Sequence, residues 1–318
     1  MNNEKIDVMI KRREDQAAGV SVFEFISVSG EALPEFEAGA HIDVHITPEL
    51  IRQYSLSNAP GSRDCYRLGI LNDPESRGGS RTIHETFQPG MTLQISAPRN
   101  HFPLDLNAEH SILVGGGIGI TPMLTMAYTL KAAGKSFELH YCCRSRSSAA
   151  FLDELQAEFP QQLHLHFDDQ ADEQRFNPEQ VFAGYEANGH VYVCGPSGFM
   201  DWVMNSAKEQ GYAAENVHFE YFNAEVDSSG EAFEVEARQS GVTVRVEEGQ
   251  SITDALAGAG IKVEVSCEQG VCGTCLCDVL EGTPDHKDHF LTDEEKEDND
   301  QIAVCCSRSK TERLVLDI

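Results

Sequence analysis

Apolar and polar side chains alternate in short runs over the first third of the chain, and each run ends at glycine, proline or another turn residue. A period of two predicts strands with one buried face, and several short strands in series are typical of a small antiparallel barrel. The clearest runs cover residues 20–27, 41–46, 53–56, 66–71 and 91–95, and one or two helical turns fit residues 82–87. We therefore predict an antiparallel β-barrel over residues 1–104.

The pattern then changes to strands that alternate with helices. Strands are predicted at residues 111–114, 137–143, 163–167, 190–194 and 217–222. Helices are predicted at residues 123–133, 149–159 and 199–210. This alternation predicts a parallel sheet with crossover helices, and we assign the α/β domain to residues 105–223.

A polar segment of small residues, 224–231, is interpreted as a linker between domains. Beyond it, alternating runs at residues 233–237 and 242–246 predict a hairpin, and Ser251 is placed to cap a short helix. We assign residues 232–318 to a third domain, so the fold class is multidomain.

Four cysteines of the third domain have a distinctive spacing. Cys267, Cys272 and Cys275 stand close together, and Cys305 follows thirty positions after Cys275. This C-x4-C-x2-C…C pattern is that of a plant-type [2Fe–2S] cluster, in which each iron takes two thiolates. A zinc site would usually add a second C-x2-C pair or histidines, and no second pair follows here. The spacing predicts an iron–sulfur cluster.

Two neighbouring cysteines leave the ligand set open on chemistry alone. Cys306 adjoins Cys305, and Cys277 follows Cys275 in an emerging strand. The offset from Cys275 resembles plant-type ferredoxins and selects Cys305, which leaves Cys306 as a small buried apolar residue. Gly270 and Gly273 suit a loop whose backbone N–H groups turn toward sulfur. This resemblance implies a C-terminal β-grasp ferredoxin domain.

Composition narrows the function. A length of 318 residues suggests two or three domains, and no run of eighteen apolar residues is present to cross a membrane. The first residues show no apolar signal region, and ten cysteines without one indicate the reducing cytoplasm. The net charge of −28 argues against a nucleic-acid partner.

Acidic residues concentrate in the segment 281–300, which holds nine of them against Lys287 and Lys296. A solvated, self-repelling surface would explain this composition. A docking surface for a partner would explain it as well.

Two polar spots stand out in the predicted barrel. Arg52, Gln53, Tyr54 and Ser55 offer a cation, a ring and a hydroxyl, which a flat anionic redox ring would need, although an ordinary exposed strand has the same residues. The stretch Ser76-Arg77-Gly78-Gly79-Ser80 precedes the helical turns. Paired glycines before a helix favour a phosphate site, and a flexible surface loop is the alternative.

Two glycine turns follow strands of the α/β domain, Gly115–Gly119 and Cys194-Gly195-Pro196-Ser197-Gly198. Turns at the carboxyl ends of parallel strands form the crevice that binds nucleotides, although plain strand-to-helix geometry also uses glycine. Pro122 stands where the third glycine of G-x-G-x-x-G would be. A pyridine-nucleotide domain of the flavoprotein-reductase type therefore fits better than a simple Rossmann motif.

Over essentially its whole length the chain resembles the phthalate dioxygenase reductase and vanillate O-demethylase reductase family, the flavin and iron–sulfur reductases of Rieske oxygenase systems. The matching motifs are Arg52-x-Tyr54-Ser55, Arg77-Gly-Gly-Ser80, Gly115-Gly-Gly-Ile-Gly-Ile-Thr-Pro122, Cys194-Gly-Pro196, His218-Phe-Glu-x-Phe222 and the cysteine set. The order of flavin barrel, nicotinamide domain and ferredoxin domain is that of the family.

The resemblance implies a role for each motif. Ser55, Cys194 and Phe222 would be the catalytic residues, next to the reacting rings. The flavin, FMN rather than FAD, would be held by Arg52, Gln53, Tyr54, Ser55, Gly78, Gly79 and Ser80. The nicotinamide nucleotide would be held by Gly117, Ile118, Thr121, Arg144, Cys194, Gly195 and Pro196, with Phe222 near the flavin ring. The cluster ligands would be Cys267, Cys272, Cys275 and Cys305.

Electron counting then predicts the mechanism. NADH delivers two electrons together and a [2Fe–2S] cluster takes one at a time, so the flavin must act between them. The expected acceptor is a Rieske-type terminal oxygenase that docks near the ferredoxin domain. Arg144 and Arg146 leave NADPH open, although the family favours NADH. Four histidines that hydride transfer does not need are interpreted as structural or surface groups: His41, His45, His164 and His166.

Three alternatives remain from the sequence. A stand-alone electron carrier with a vestigial nucleotide domain would show little nucleotide-driven turnover. A reductase for a diiron oxygenase would usually have its ferredoxin domain first. A purely structural iron–sulfur protein would show no flavin absorbance near the cluster bands.

Overall fold

The computed structural model describes residues 5–48, 50–74, 76, 78–171, 174–183, 189–222, 227–265 and 267–318. The chain forms two compact units, residues 1–222 and residues 223–318. Arg77 of the predicted phosphate loop and residues 224–226 of the predicted linker lie outside the described residues. The finer boundaries of the predicted domains stay predictions.

The first unit begins with an antiparallel sheet. Its strands are β1 (Lys5–Ala17), β2 (Val20–Ser27), β3 (His41–His45), β4 (Ile51–Ser55), β5 (Tyr66–Leu71) and β6 (Thr92–Ser96). They pair in the order β4-β3-β6-β1-β2-β5, and a bridge between Leu56 and Leu68 joins the two outer strands. This bridge closes the predicted barrel. Apolar residues at alternate positions, such as Phe23 and Phe25, fill its core together with Ile83 of helix α1 (Gly79–Thr86).

A parallel sheet completes the first unit. Its strands are β7 (His110–Gly116), β8 (Ser136–Cys143), β9 (Leu163–Phe167), β10 (Gly189–Cys194) and β11 (Val217–Glu220). The order is β11-β10-β7-β8-β9, with every neighbouring pair parallel. The chain runs outward from β7 through β8 and β9 and then returns to the other side of β7. The boundary between β7 and β10 is therefore the switch point of the sheet, where such folds bind ligands.

Helices cover both faces of this sheet. They are α2 (Ile120–Ala132), α3 (Leu152–Glu158), α4 (Pro178–Phe182) and α5 (Ser197–Glu209). Apolar residues of α2 and α3 pack on one face, and those of α4 and α5 pack on the other. The predicted helix 149–159 is too long at its start, because Phe151 has φ of 60° and lies just before the first helical residue. The predicted strand 217–222 is also too long, since β11 ends at Glu220.

The second unit has a mixed sheet with one packed helix. Its elements are β12 (Phe233–Ala237), β13 (Val242–Val246), α6 (Ile252–Gly258), β14 (Leu276–Glu281), β15 (Pro284–Asp285), α7 (Asp293–Asp298), β16 (Gln301–Ala303), β17 (Arg308–Ser309) and β18 (Arg313–Leu316). The main sheet has the order β13-β12-β18-β14-β16, in which only β12 and β18 run parallel. Ser251 caps α6 as predicted, because its Oγ accepts a hydrogen bond of 3.1 Å from the Asp254 N–H.

None of the helices in the described part of the chain has the length and apolar character that a membrane crossing requires.

Candidate functional site

The predicted phosphate site of the barrel combines strand β4 with the start of α1. A Cβ added to Gly79 would lie 2.6 Å from Cγ of Arg52, so the arginine side chain passes over α1 where only glycine leaves room. Gly78 precedes the helix with φ of 95°, a conformation that glycine adopts without strain. A guanidinium beside N–H groups that lack intrahelical partners is an arrangement that favours a phosphate.

Gln53 gives an independent sign that this strand binds a ligand. Within the described part of the chain, its Nε2 is buried and has no hydrogen-bond partner. A buried amide without a partner costs about 1–3 kcal/mol, which an acceptor on a bound ring would recover. The ring of Tyr54 packs against the barrel core, and burial raises the pKa of its hydroxyl. The Ser80 hydroxyl oxygen accepts a hydrogen bond of 3.2 Å from the Asp73 N–H. Because the oxygen is the acceptor in this contact, the hydroxyl hydrogen can still be donated to a ligand. These residues fit a flavin.

Ser55 contacts a carboxyl group that the sequence interpretation did not assign. Its Oγ donates to Oε2 of Glu220 over 3.3 Å, and His41 Nδ1 lies 3.8 Å from the other carboxyl oxygen. Burial raises the pKa of Glu220 to about 8, although the Ser55 hydrogen bond opposes the shift. Glu220 therefore holds a proton at neutral pH. Because Oε2 accepts from Ser55, the neutral carboxyl can carry its proton on Oε1, the oxygen that faces His41.

Glu220 lies inside the His218-Phe-Glu-x-Phe222 motif, where sequence reasoning singled out only Phe222. The sequence signal that could have identified Glu220 was an acidic residue in the short, last strand of the predicted parallel sheet. Phe222 follows this strand and packs against the α2–α3 face of the sheet.

The two glycine turns meet at the switch point. A Cβ on Gly119 would lie 2.2 Å from the carbonyl oxygen of Cys194, and a Cβ on Gly195 would lie 3.1 Å from Cα of Gly116. In the sheet, Cys194 pairs with Gly115 on one side and with Glu220 on the other. The end of β10 therefore lies between the nucleotide crevice and Glu220, whose carboxyl group contacts Ser55.

Other predicted nucleotide residues surround this crevice. Gly117 has φ of 56°, and among the described residues beyond its chain neighbours no atom lies within 4 Å of where its Cβ would be, so the turn is open. Thr121 donates a hydrogen bond of 3.0 Å to the carbonyl oxygen of Ile118, which stabilises the same turn. Pro196 caps α5, and Arg144 is exposed at the carboxyl end of β8. Burial raises the pKa of the Cys194 thiol, so the thiol stays protonated and is suited to packing rather than to nucleophilic attack.

The second unit brings together the four cysteines of the plant-type motif, and all four are buried. Hydrogen bonds from the Cys272 and Cys305 thiols lower the pKa of Cys267, and the same contacts raise the pKa of each donor. A hydrogen bond from Cys305 also lowers the pKa of Cys275. These contacts place the four sulfurs in one group, within reach of a shared centre.

The loop around these sulfurs is tightly packed. A Cβ on Gly270 would lie 2.4 Å from Sγ of Cys306, and a Cβ on Gly273 would lie 2.4 Å from the Phe290 ring. The Gln269 N–H donates to Sγ of Cys267 over 3.3 Å, as loop N–H groups do around cluster sulfurs. The four buried cysteines and this close-fitting loop fit a [2Fe–2S] cluster.

The two spare cysteines are held differently from the four. Cys306 donates to the carbonyl oxygen of Ala303 over 3.7 Å, and Cys277 donates to that of Cys275 over 3.7 Å. Cys305 contacts Cys267 and Cys275 directly. This geometry favours Cys305 as the fourth ligand.

Two parts of the chain match known domain families. Residues 235–310 match the 2Fe-2S iron-sulfur cluster binding domain, and residues 113–205 match the oxidoreductase NAD-binding domain. The chain therefore has an NAD-binding domain and an iron–sulfur domain, in the predicted order.

Full-length relatives are also similar. The vanillate O-demethylase oxidoreductase of Pseudomonas sp. strain HR199 is 48% identical over 98% of this chain and 100% of the relative. The carnitine monooxygenase reductase subunit of Escherichia coli K12 is 35% identical over 98% of each chain. The structure of phthalate dioxygenase reductase, described as modular for electron transfer from pyridine nucleotides to [2Fe-2S], is 37% identical with a TM-score of 0.76, over 99% of this chain and 98% of that one. These findings confirm the predicted resemblance and fold class. The chain belongs to the family of vanillate O-demethylase oxidoreductases and phthalate dioxygenase reductase.

Proposed function

We propose that this protein is the reductase component of an oxygenase system, which takes a hydride from NADH onto FMN and passes single electrons through a [2Fe–2S] cluster to a Rieske-type oxygenase. The contact between Ser55 and Glu220 carries the proposal. It joins the barrel strand that fits a flavin to the sheet strand beside the nucleotide crevice. The hydride donor and the flavin would thereby share one site within residues 1–222.

Each part of this site has a distinct task in the proposal. Arg52 and the glycines before α1 bind the flavin phosphate, and Gln53 donates to the ring. Gly119 and Gly195 keep the crevice narrow, so that a nicotinamide lies flat against Cys194. When bound, the flavin accepts two electrons together and releases them one at a time. Glu220 holds the proton that accompanies this change, and Ser55 orients its carboxyl group through their hydrogen bond.

The choice of cofactors follows the family. We assign flavin binding to residues 1–104, nucleotide binding to 105–223 and the cluster to 232–318, with 224–231 as the linker. FMN is favoured over FAD because the family resemblance implies it, and the described residues of the barrel add no segment that would hold an adenosine. NADH is favoured over NADPH, and the exposed Arg144 is the residue that would contact the adenosine ribose.

The partner is proposed from the relatives and from charge. The relatives named above serve vanillate demethylation and carnitine monooxygenation, and an oxygenase partner is the common feature. The acidic segment 281–300 includes helix α7, whose five carboxylate side chains are all exposed. We propose that the oxygenase docks on this acidic side, since complementary charge speeds association.

Two electron acceptors test the proposed path. Ferricyanide accepts electrons from a reduced flavin, whereas cytochrome c serves as a one-electron protein acceptor for the cluster. Cys305→Ser should lose the cluster and most cytochrome c reduction, and it should keep NADH-driven ferricyanide reduction. Iron content, visible absorbance and both steady-state rates would be measured on purified protein.

Cys306→Ser and Cys277→Ser are the matched controls, and both should keep the cluster and both activities. Loss of the cluster in Cys306→Ser alone would contradict the ligand assignment. Absence of NADH-driven ferricyanide reduction in the wild type would contradict the proposed function and favour a simple electron carrier.

A further inference from the structure

A compact group of ionisable side chains lies on the parallel sheet, apart from the residues assigned to electron transfer. We call Glu138, His140, His164 and His166 the histidine cluster. His140 of β8 lies directly opposite His164 of β9, and their rings stack with centroids 4.7 Å apart. The ring of His166 also stacks on His140 at 5.3 Å, and Phe176 packs edge-on against both. The donor atoms of Glu138, His140 and His164 all lie within 4.8 Å of one another.

The hydrogen bonds of the cluster leave one position that needs a positive charge. The carbonyl oxygen of Gln174 can only accept, so His166 Nδ1 carries the hydrogen in their contact of 3.3 Å. His166 Nε2 then accepts from His140 Nδ1 over 3.0 Å. In neutral His140 this leaves a lone pair on Nε2, which faces Oε2 of Glu138 at 3.1 Å. Two facing lone pairs are stable only if a proton or a cation lies with them.

The arrangement of donor atoms favours a metal ion at this position. Three donor atoms, from Glu138, His140 and His164, lie within 4.8 Å of one another, whereas a shared proton would need only two of them. A metal ion can use the exposed side of the cluster, where His164 reaches solvent.

We propose that Glu138, His140 and His164 bind a divalent first-row transition ion of the Zn²⁺ type. Imidazole nitrogen and carboxylate oxygen are usual ligands of Zn²⁺, and three protein ligands with a water complete a tetrahedral site. His140 binds through Nε2, and its Nδ1–H donates to His166. Metal-bound histidines usually donate their other ring N–H in this way, and the hydrogen bond fixes the orientation of the ring.

A modest side-chain movement completes the site. Donors of a tetrahedral zinc ion lie about 3.4 Å apart when each bond is about 2.1 Å long. His164 is exposed and Glu138 is partly exposed, so both can rotate toward the buried His140 without disturbing the core. The bound ion would join edge strand β9 to β8. It therefore stabilises the edge of the nucleotide-binding sheet and takes no part in hydride transfer.

Zinc binding to the tag-free, full-length protein with its iron–sulfur cluster intact tests this proposal. The protein would be freed of loose metal on a chelating column and titrated with Zn²⁺ by calorimetry, with metal content measured after dialysis. The wild type should bind one Zn²⁺ per chain, with no loss of iron. His164→Ala and Glu138→Gln should each weaken binding at least tenfold, and neither replaces a core residue.

His190→Asn is the matched control, because His190 also stacks on a neighbouring histidine, His218, at 5.1 Å, and it lies outside the cluster. It should bind Zn²⁺ like the wild type. The proposal is wrong if the wild type binds no Zn²⁺, or if Glu138→Gln and His164→Ala bind as tightly as the wild type. Binding lost in His190→Asn and retained in the other two variants would place the ion elsewhere and also overturn it.

Discussion

Glu220 shows how packing creates a chemical state that local sequence does not reveal. The residue is an ordinary acid in a short strand, and only its burial beside Ser55 raises its pKa to about 8. Ser55 comes from a strand 165 positions earlier in the chain. A contact over such a separation depends on how the barrel packs against the parallel sheet. The sequence interpretation therefore assigned Ser55 from its motif and missed its partner.

The pKa of Glu220 predicts how stability changes with pH. The unfolded carboxyl ionises near its usual pKa of 4.5, whereas the folded one keeps its proton up to about 8. Between these values the folded state binds more protons, so Glu220 lowers the free energy of unfolding as pH rises. Glu220→Gln should remove this loss. The melting temperatures of this variant and the wild type would be measured at pH 5, 6.5 and 8. The melting temperature of the variant relative to that of the wild type should rise with each step in pH, and a constant difference would contradict the assigned burial.

The cysteines are the opposite case at the residue scale. Their chemistry could be predicted because the spacing of Cys267, Cys272 and Cys275 is local and specific. The choice between Cys305 and Cys306 as the fourth ligand needed the structure. The two adjacent cysteines have the same chemistry and differ only in the direction of their side chains. Here the contacts of Cys305 with Cys267 and Cys275 supply the distinction.

At the scale of elements, the pattern predicted strands best where alternation is unbroken. The bounds of β2, β5, β9, β12 and β13 agree with the sequence prediction. Strand β1 was not delimited, because register shifts between Ile10 and Arg12 and between Asp15 and Ala17 interrupt its alternation. Helix α7 was not predicted, and only the acidic composition of its segment was noted. None of its six residues is buried, so the segment shows no helical pattern of apolar residues.

The meeting of the two glycine turns gives a prediction at this scale. Gly119→Ala should force the two turns apart, because the new Cβ would lie 2.2 Å from the backbone oxygen of Cys194. We expect a loss of about 1–3 kcal/mol in the free energy of unfolding and a higher KM for NADH. Gly258→Ala is the control, since in the described part of the chain no atom outside its own helix backbone lies within 4 Å of its added Cβ. Equal effects in the two variants, measured by denaturation and steady-state kinetics, would contradict the predicted clash.

Helix α7 gives a second prediction. Glu297 and Asp298 are exposed in its last turn, where lysine also suits the helix dipole. The double variant Glu297→Lys/Asp298→Lys should raise the KM for the proposed oxygenase partner about tenfold at low salt, because it weakens electrostatic attraction. NADH-driven ferricyanide reduction should not change. Glu248→Lys, an exposed acid after β13, is the control, and an equal effect there would argue against docking at α7.

At the scale of the whole molecule, the sequence predicted the order of the parts because each part has its own local motif. It could not predict how strands pair, because pairing depends on contacts that are distant in sequence. The closing bridge between Leu56 and Leu68 and the return of β10 to the side of β7 both belong to this class. The latter is what brings the two glycine turns to one crevice, so the nucleotide site is a property of the topology.

Anaerobic titration of the purified protein with NADH tests the central claim most directly. Flavin and cluster absorbance would be followed together, with NADPH in a parallel titration. Because a flavin takes two electrons and a [2Fe–2S] cluster takes one, both should bleach fully at about 1.5 equivalents of NADH per chain. A cluster that stays oxidised after the flavin is reduced by excess NADH, or protein that has the cluster and no flavin, would contradict the proposed electron path.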